Sequence, residues 1–331
     1  MISLSKNKID SFCRIFDVPG FIIPWLHRFF EPQEIELVLD LTRQEGTGLR
    51  DREFLDRCYR RGIISYRDDG SMQPADFHIR YDIWALFEGW QDVPKEIRVK
   101  LNQWELESYV ALKGTPIKKS LKTGQRDPAQ VWSEFALMDE ALALIDRVPH
   151  IYLWPCNCRA MMKGCRKAEL VCLRFSNDRN LGWEISRSRA KEILQEAHKK
   201  GLMQNVGLSI LPDGSIDGGI CNCCSDCCYD QQLAEKLDIA SNWPLNRYVA
   251  SHAMDLCSAC GRCTKRCPFQ AFTMTGKKTD QDQPRAADIH YDPSLCRGCG
   301  LCASSCPESA IEMKPLQQNP LSIIADVIKS N

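Results

Sequence analysis

No apolar run in this 331-residue sequence approaches the ~20 residues that cross a bilayer. The longest, 21–26 and 321–328, fall far short, and the second is broken by Ser322 and Asp326. The first ten residues, MISLSKNKID, lack the continuous apolar core of a secretory signal, and neither end carries a lipidation signature. No membrane span is expected, and the expected location is cytoplasmic. An excess of either charge is missing too: Lys+Arg and Asp+Glu both count 43. No global basic field therefore draws the whole chain onto nucleic acid or an anionic membrane. There is no Walker lysine loop and no G-x-G-x-x-G, so nucleotide or flavin binding has no support. With 44% hydrophobic and 26% charged residues the chain is expected to fold. At roughly 150 residues per domain it should hold two or three domains.

Cysteine is scarce, then dense. Cys13 and Cys58 stand alone in the first 155 residues and read as free thiols, while the other 17 of the 19 fall between Cys156 and Cys306. In a reducing compartment such clusters are metal ligands or redox centres rather than structural disulfides. A C-x3-C-x2-C run, the usual radical-SAM triad, is absent.

The expected fold class is α+β in four parts: a helical, winged-helix-like domain (1–150), a cysteine-rich metal-binding domain (151–250), a C-terminal ferredoxin-like dicluster domain (251–315) and a tail (316–331). In the first part, apolar spacing predicts helices over 32–44 and 49–62 around a Gly46-Thr47-Gly48 turn. Strands are expected at 63–66 and 77–81 about a turn at Asp68-Asp69-Gly70. That order resembles a winged helix-turn-helix. Arg57, Arg60, Arg61, Arg67 and Arg80 would contact phosphates if they share a face. The alternative is solvated arginines beside Asp51, Glu53 and Asp56, on a module that docks a protein. Further on, a helix is expected over 94–112, an exposed linker over 113–128 and a helix over 128–148.

The strongest motif is a repeat. Residues 257–268 read CSACGRCTKRCP and residues 296–307 read CRGCGLCASSCP, one C-x2-C-x2-C-x3-C-P pattern used twice, 39 residues apart. Each copy is trailed by a short apolar strand candidate, 271–274 and 310–313. Three cysteines at this spacing let one loop wrap three corners of a cubane cluster. Ala259, Gly261, Gly298 and Gly300 permit the close backbone approach. Two zinc sites are the alternative, which the triple spacing and trailing proline disfavour.

On these motifs, residues 251–315 resemble a bacterial-type dicluster ferredoxin domain, with a polar insert at 276–286 as the departure. The resemblance implies two [4Fe-4S] clusters with crossed fourth ligands. It places Cys257, Cys260, Cys263 and Cys306 on one, and Cys296, Cys299, Cys302 and Cys267 on the other.

Nine cysteines remain upstream: Cys156, Cys158, Cys165, Cys172, Cys221, Cys223, Cys224, Cys227 and Cys228. A helix over 185–201, ended by Gly201, and a hairpin turning at Pro212-Asp213-Gly214 should bring the two groups together. Nine thiols exceed one four-ligand site. They read as at least one further iron–sulfur cluster, with zinc or metal-free redox thiols as alternatives. The middle region looks like multi-cluster proteins of anaerobes, which names no substrate. His150, His252 and His290 are weaker ligand candidates, and Tyr229, Trp154 and Trp243 are candidates to shield a cluster.

The leading reading is an electron-transfer protein that relays single electrons to a partner oxidoreductase. The alternatives are a redox-responsive DNA-binding regulator and a reductase with its catalytic centre among residues 156–228.

Overall fold

A computed structural model describes residues 4–43, 50–89, 93–127, 131–162, 170–211, 213–275, 288–317 and 319–329. They form two compact units, Met1–Glu105 with Asn177–Leu181, and Leu106–Ser176 with Gly182–Asn331.

The first unit is built from α1 (Lys6–Ile15), α2 (Leu26–Phe29), α3 (Pro32–Arg43), α4 (Arg52–Arg60), a hairpin of β1 (Ile64–Tyr66) and β2 (Met72–Pro74), α5 (Phe77–Ile83) and the start of α6 (Lys95–Thr123). Its core is aromatic. Phe12 and Phe30 meet edge to face at 4.9 Å, and Phe29 lies 5.3 Å from Phe77 and 4.4 Å from Trp84.

Three expectations fail in these segments and the next. Residues 77–81 are helical, not a strand, because Asp76 caps the turn by accepting from the Ile79 N–H at 2.8 Å. The hairpin partner of β1 is β2 instead. The expected linker 113–128 is helical as far as Thr123, with Pro116 inside the helix. Burial of Ile117 and Ser120 overrides the local Gly and Pro signals. Finally, residues 132–136 form a strand inside the expected helix 128–148; their five positions are all buried. The expected Gly46–Gly48 turn and the polar insert 276–286 lie outside the described residues.

The second unit contains β3 (Trp132–Ala136), α7 (Met138–Arg147), β4 (Tyr152–Pro155), α8 (Asn157–Met162), β5 (Leu170–Arg174), β6 (Trp183–Glu184), α9 (Arg187–Lys199), β7 (Met203–Ile210), β8 (Ile216–Cys223) and α10 (Tyr229–Lys236). β9 (Tyr248–His252), α11 (Arg262–Arg266), β10 (Phe272–Thr275), β11 (Asp288–Tyr291), β12 (Ile311–Pro315) and α12 (Ile324–Lys329) complete it. Six strands make an antiparallel sheet in the order β3-β7-β8-β5-β4-β6. The helices α7 and α9 pack on it through Leu144, Ile145, Ala190 and Leu194, opposite Val206, Leu208 and Ile220. The expected helix and hairpin are both present: α9 ends before Gly201, whose φ is +81°, and β7 pairs with β8 from Met203↔Cys223 to Ile210↔Ile216.

In the middle of β8, a Cβ on Gly219 would overlap the Leu173 carbonyl of β5. Glycine there lets β8 lie against β5 and carry its terminal cysteines alongside Cys172. The chain's last segment is tied in as well. Buried Glu134 accepts from the Ile323 and Ile324 N–H groups at 2.7 and 2.8 Å, and Arg247 Nε lies 3.0 Å from it.

Candidate metal centres

The two repeated runs fold alike. β9 pairs with β12 and β10 with β11, two short antiparallel ribbons on which the loops stand. Left-handed residues recur 39 positions apart: Ala259 and Gly298, Gly261 and Gly300, Gln270 and Ser309. Such residues turn successive N–H groups to one side of a loop, where they can face anionic sulfur. The Ala259 N–H donates to Cys257 Sγ and the Ala250 N–H to Cys296 Sγ, each at 3.4 Å.

Two cavities open inside this module. One is lined by Cys257, Cys260, Cys263 and Cys306. The other is lined by Cys267, Cys296, Cys299 and Cys302. Each cavity thus takes three thiols from one run and the last thiol of the other. Burial pushes the Cys299 thiol up to about 12, with Cys267 and Cys296 adding to the rise, and lifts Cys302 and Cys263 as well. When bare, these three thiols stay protonated, so loading a metal on them must release protons. The first set lies nearer solvent: Cys260 is exposed, whereas Cys296, Cys299 and Cys302 are all buried. Four soft thiol donors around one pocket are the set a cubane cluster takes.

The middle cysteines come from five places. Cys156 follows β4, Cys158 opens α8, Cys172 lies in β5, Cys221 and Cys223 end β8, and Cys228 caps α10. Period-2 alternation puts Cys221 and Cys223 on one side of β8. Cys156 touches Cys158 and Cys172; Cys158 touches Cys228; Cys172 touches Cys221; Cys223 touches Cys221 and Cys228, the last at 3.5 Å. Hydrogen bonds within this circuit hold Cys156, Cys221 and Cys228 well below the usual thiol range. The same bonds hold Cys158, Cys172 and Cys223 above it. Cys224 and Cys227 pair with each other, their Sγ atoms 2.9 Å apart beside exposed Asp226, and pack in one apolar cluster with Cys156 and Cys172. Cys165 lies outside the described residues.

Several residues around this circuit carried no sequence signal. Arg159, almost fully buried, donates to the Asn222 carbonyl at 2.7 Å and lies beside Cys156. Half-buried Asp230 accepts from Tyr109 (2.6 Å), Ser133 (2.5 Å) and Asn205 (2.9 Å); desolvation, then the neighbouring Cys228, pushes it up to about 6. Alternation along β7, with Asn205 among apolar residues, is the nearest thing to a signal for that network.

The weaker candidates separate. His150 pairs with Glu184 at 2.8 Å on the surface, and His290 is exposed on β11, neither among the thiols. His252 packs on Phe272 and lines the first cavity. Tyr229 donates its N–H to Cys158 Sγ at 3.3 Å, and Trp154 packs against the cluster holding Cys156 and Cys172. Trp243 instead stacks edge-on against Trp132 in the sheet's core. Of the arginines considered for phosphate, Arg80 is buried and held by Glu88, and Arg61 is paired with Glu34 and Glu88. Arg57 pairs with Glu31. Cys13 and Cys58 are buried and are far in sequence from the other thiols.

Compared with known proteins, residues 256–310 match the family model of a 4Fe-4S dicluster domain. No curated protein matches the chain.

Proposed function

We propose that this chain, carrying a 4Fe-4S dicluster domain at residues 256–310, is an iron–sulfur electron-transfer protein. Cys257, Cys260, Cys263 and Cys306 hold one cluster, and Cys267, Cys296, Cys299 and Cys302 hold the other. The observation that carries the reading is the crossed lining of the two cavities. When bound, each cluster supplies a one-electron site at low potential. The chain's own residues set the surroundings. N–H groups of Ala250 and Ala259 face the thiol sulfurs, and Phe272 and Met313 keep the second cavity apolar.

A redox partner meets the protein near exposed Cys260, where the first set is closest to solvent. The partner is unidentified, but electron-transfer contacts are typically small and transient. Among the described residues no helix is long and apolar enough to cross a membrane. A reductase is favoured as the second reading by the convergence of eight middle thiols in the same unit. The regulator reading is weakened because three of its five arginines, Arg57, Arg61 and Arg80, are engaged by carboxylates of their own unit, leaving Arg60 and Arg67 exposed.

The test is iron and acid-labile sulfide on anaerobically purified protein, with low-temperature EPR after dithionite reduction. At least about eight irons per chain and reduced-cluster signals are expected. A protein that retains zinc in place of iron in the C-terminal module contradicts the reading.

A further inference from the structure

Nine upstream cysteines are more than a four-ligand site needs, and the structure divides them. Six form a closed circuit in the order Cys156, Cys158, Cys228, Cys223, Cys221, Cys172 and back to Cys156, each touching two others. Five chain segments contribute to it. Ordinary core cysteines are placed singly among apolar side chains; a closed circuit of six is a ligand set. Any four-thiol site cut from it leaves two thiols pressed against its ligands.

We infer that these six cysteines together hold one polynuclear iron–sulfur centre, and that Cys224 and Cys227 stand outside its ligand set. This deepens the reading of the chain as an iron–sulfur electron-transfer protein and rests on it.

Charge argues for several metal ions rather than one. Once ionised as ligands, six thiolates need more positive charge in a buried space than neighbouring side chains supply. The guanidinium groups bearing on the circuit are Arg159, beside Cys156, and Arg174, beside Cys221. Two positive charges do not balance six negative ones. A single tetrahedral zinc takes only four thiolates and leaves a third of the circuit unused, so zinc would fill the circuit only as a binuclear, thiolate-bridged site.

Position argues for iron. Cys223 and Cys228 share one apolar cluster with Cys299 of the second C-terminal set, through Phe135, Met203 and Leu301. Phe269, which lines the second cavity, meets Phe135 edge to face at 6.0 Å. The thiol sets therefore run from exposed Cys260, through the buried second set, to the six-thiol circuit. A structural zinc gains nothing from that placement, whereas a redox centre gains a dry contact with its neighbour. Cys224 and Cys227 pack against Cys156 and Cys172 in one apolar cluster, but their sulfurs face each other at 2.9 Å and bond to no thiol of the circuit, which keeps them out of its ligand set.

Iron, sulfide and zinc are measured on the anaerobically purified full chain, on Cys221→Ser/Cys223→Ser and on Cys224→Ser/Cys227→Ser, with EPR of each after dithionite. The wild type should carry iron clearly above the roughly eight of two cubane clusters. The circuit variant should fall to about eight while keeping the EPR signals of the C-terminal clusters. The Cys224/Cys227 variant should match the wild type. About eight irons in the wild type, or zinc filling the remaining thiols, overturns this inference alone and leaves the two-cluster reading standing. Equal iron loss in both variants also overturns it, because it means two four-thiol sites. A wild type without iron overturns both readings. Should the circuit variant not fold, the wild-type counts decide by themselves.

Discussion

Gly298 shows how closely the backbone is fitted around the second thiol set. Its φ is +69°, and a Cβ would run into the Tyr248 carbonyl of β9. Gly214 has φ +83° and open space around it, so it isolates the conformational cost. Gly214→Ala should cost about 1 kcal/mol. Gly298→Ala should cost more, about 2–4 kcal/mol, and lower the iron content of the second set; chemical denaturation and iron quantification check both. Equal costs would show that β9 gives way freely. His78, a residue with no role in the thiol chemistry, supplies a pH test. Its Nδ1 lies 3.0 Å from the Oε2 of buried Glu105, and that pairing raises the imidazole to about 9 despite burial. The charged form is the one stabilised. The contribution is therefore complete below the unfolded value near 6.5 and is lost as pH rises through about 9. The loss should be about 1–2 kcal/mol, the side chain being partly exposed, and His78→Gln should flatten the stability profile between pH 6.5 and 9. An unchanged slope in that variant would remove His78 from the account.

At the scale of elements, caps and burial decide what local pattern leaves open. Asp76→Ala removes the acceptor at the start of α5 and should destabilise the first unit by about 1 kcal/mol, read by thermal denaturation. No change would mean that packing of Phe77 and Tyr81 alone fixes the helix. The same residues show where sequence reading stopped. FHIRY alternates as a strand does, yet Asp76 in front of it makes a capped turn, and Arg80 is buried on Glu88 rather than exposed. Residues 113–123 read as a linker because Gly114 and Pro116 break helices locally. The core contact of Ile117 is a long-range fact that no window contains. The spacing of the two C-terminal runs was legible in full because three ligands of each set are local. The six-thiol circuit was not legible as a circuit. Its members lie up to about 70 residues apart, and the pairing of β5 with β8 is what joins them. The i, i+2 placement of Cys221 and Cys223 in β8 was the one hint in the sequence that they share a face.

At the scale of the second unit as a whole, the thiol sets are graded from surface to interior: exposed Cys260, then the buried set around Cys299, then Cys223 and Cys228 across a shared apolar cluster. Low exposure and apolar walls at the inner sets favour retention of charge-delocalised clusters over free thiols. The central claim is that the fourth cysteine of each run serves the cluster of the other. EPR of dithionite-reduced Cys306→Ser, Cys260→Ser and Cys267→Ser, each purified anaerobically, tests it most directly. The account predicts that Cys306→Ser and Cys260→Ser alter the same cluster signal, and that Cys267→Ser alters the other. If Cys267→Ser instead perturbs the signal that Cys260→Ser perturbs, and Cys306→Ser the other, each run holds its own cluster and the account is wrong.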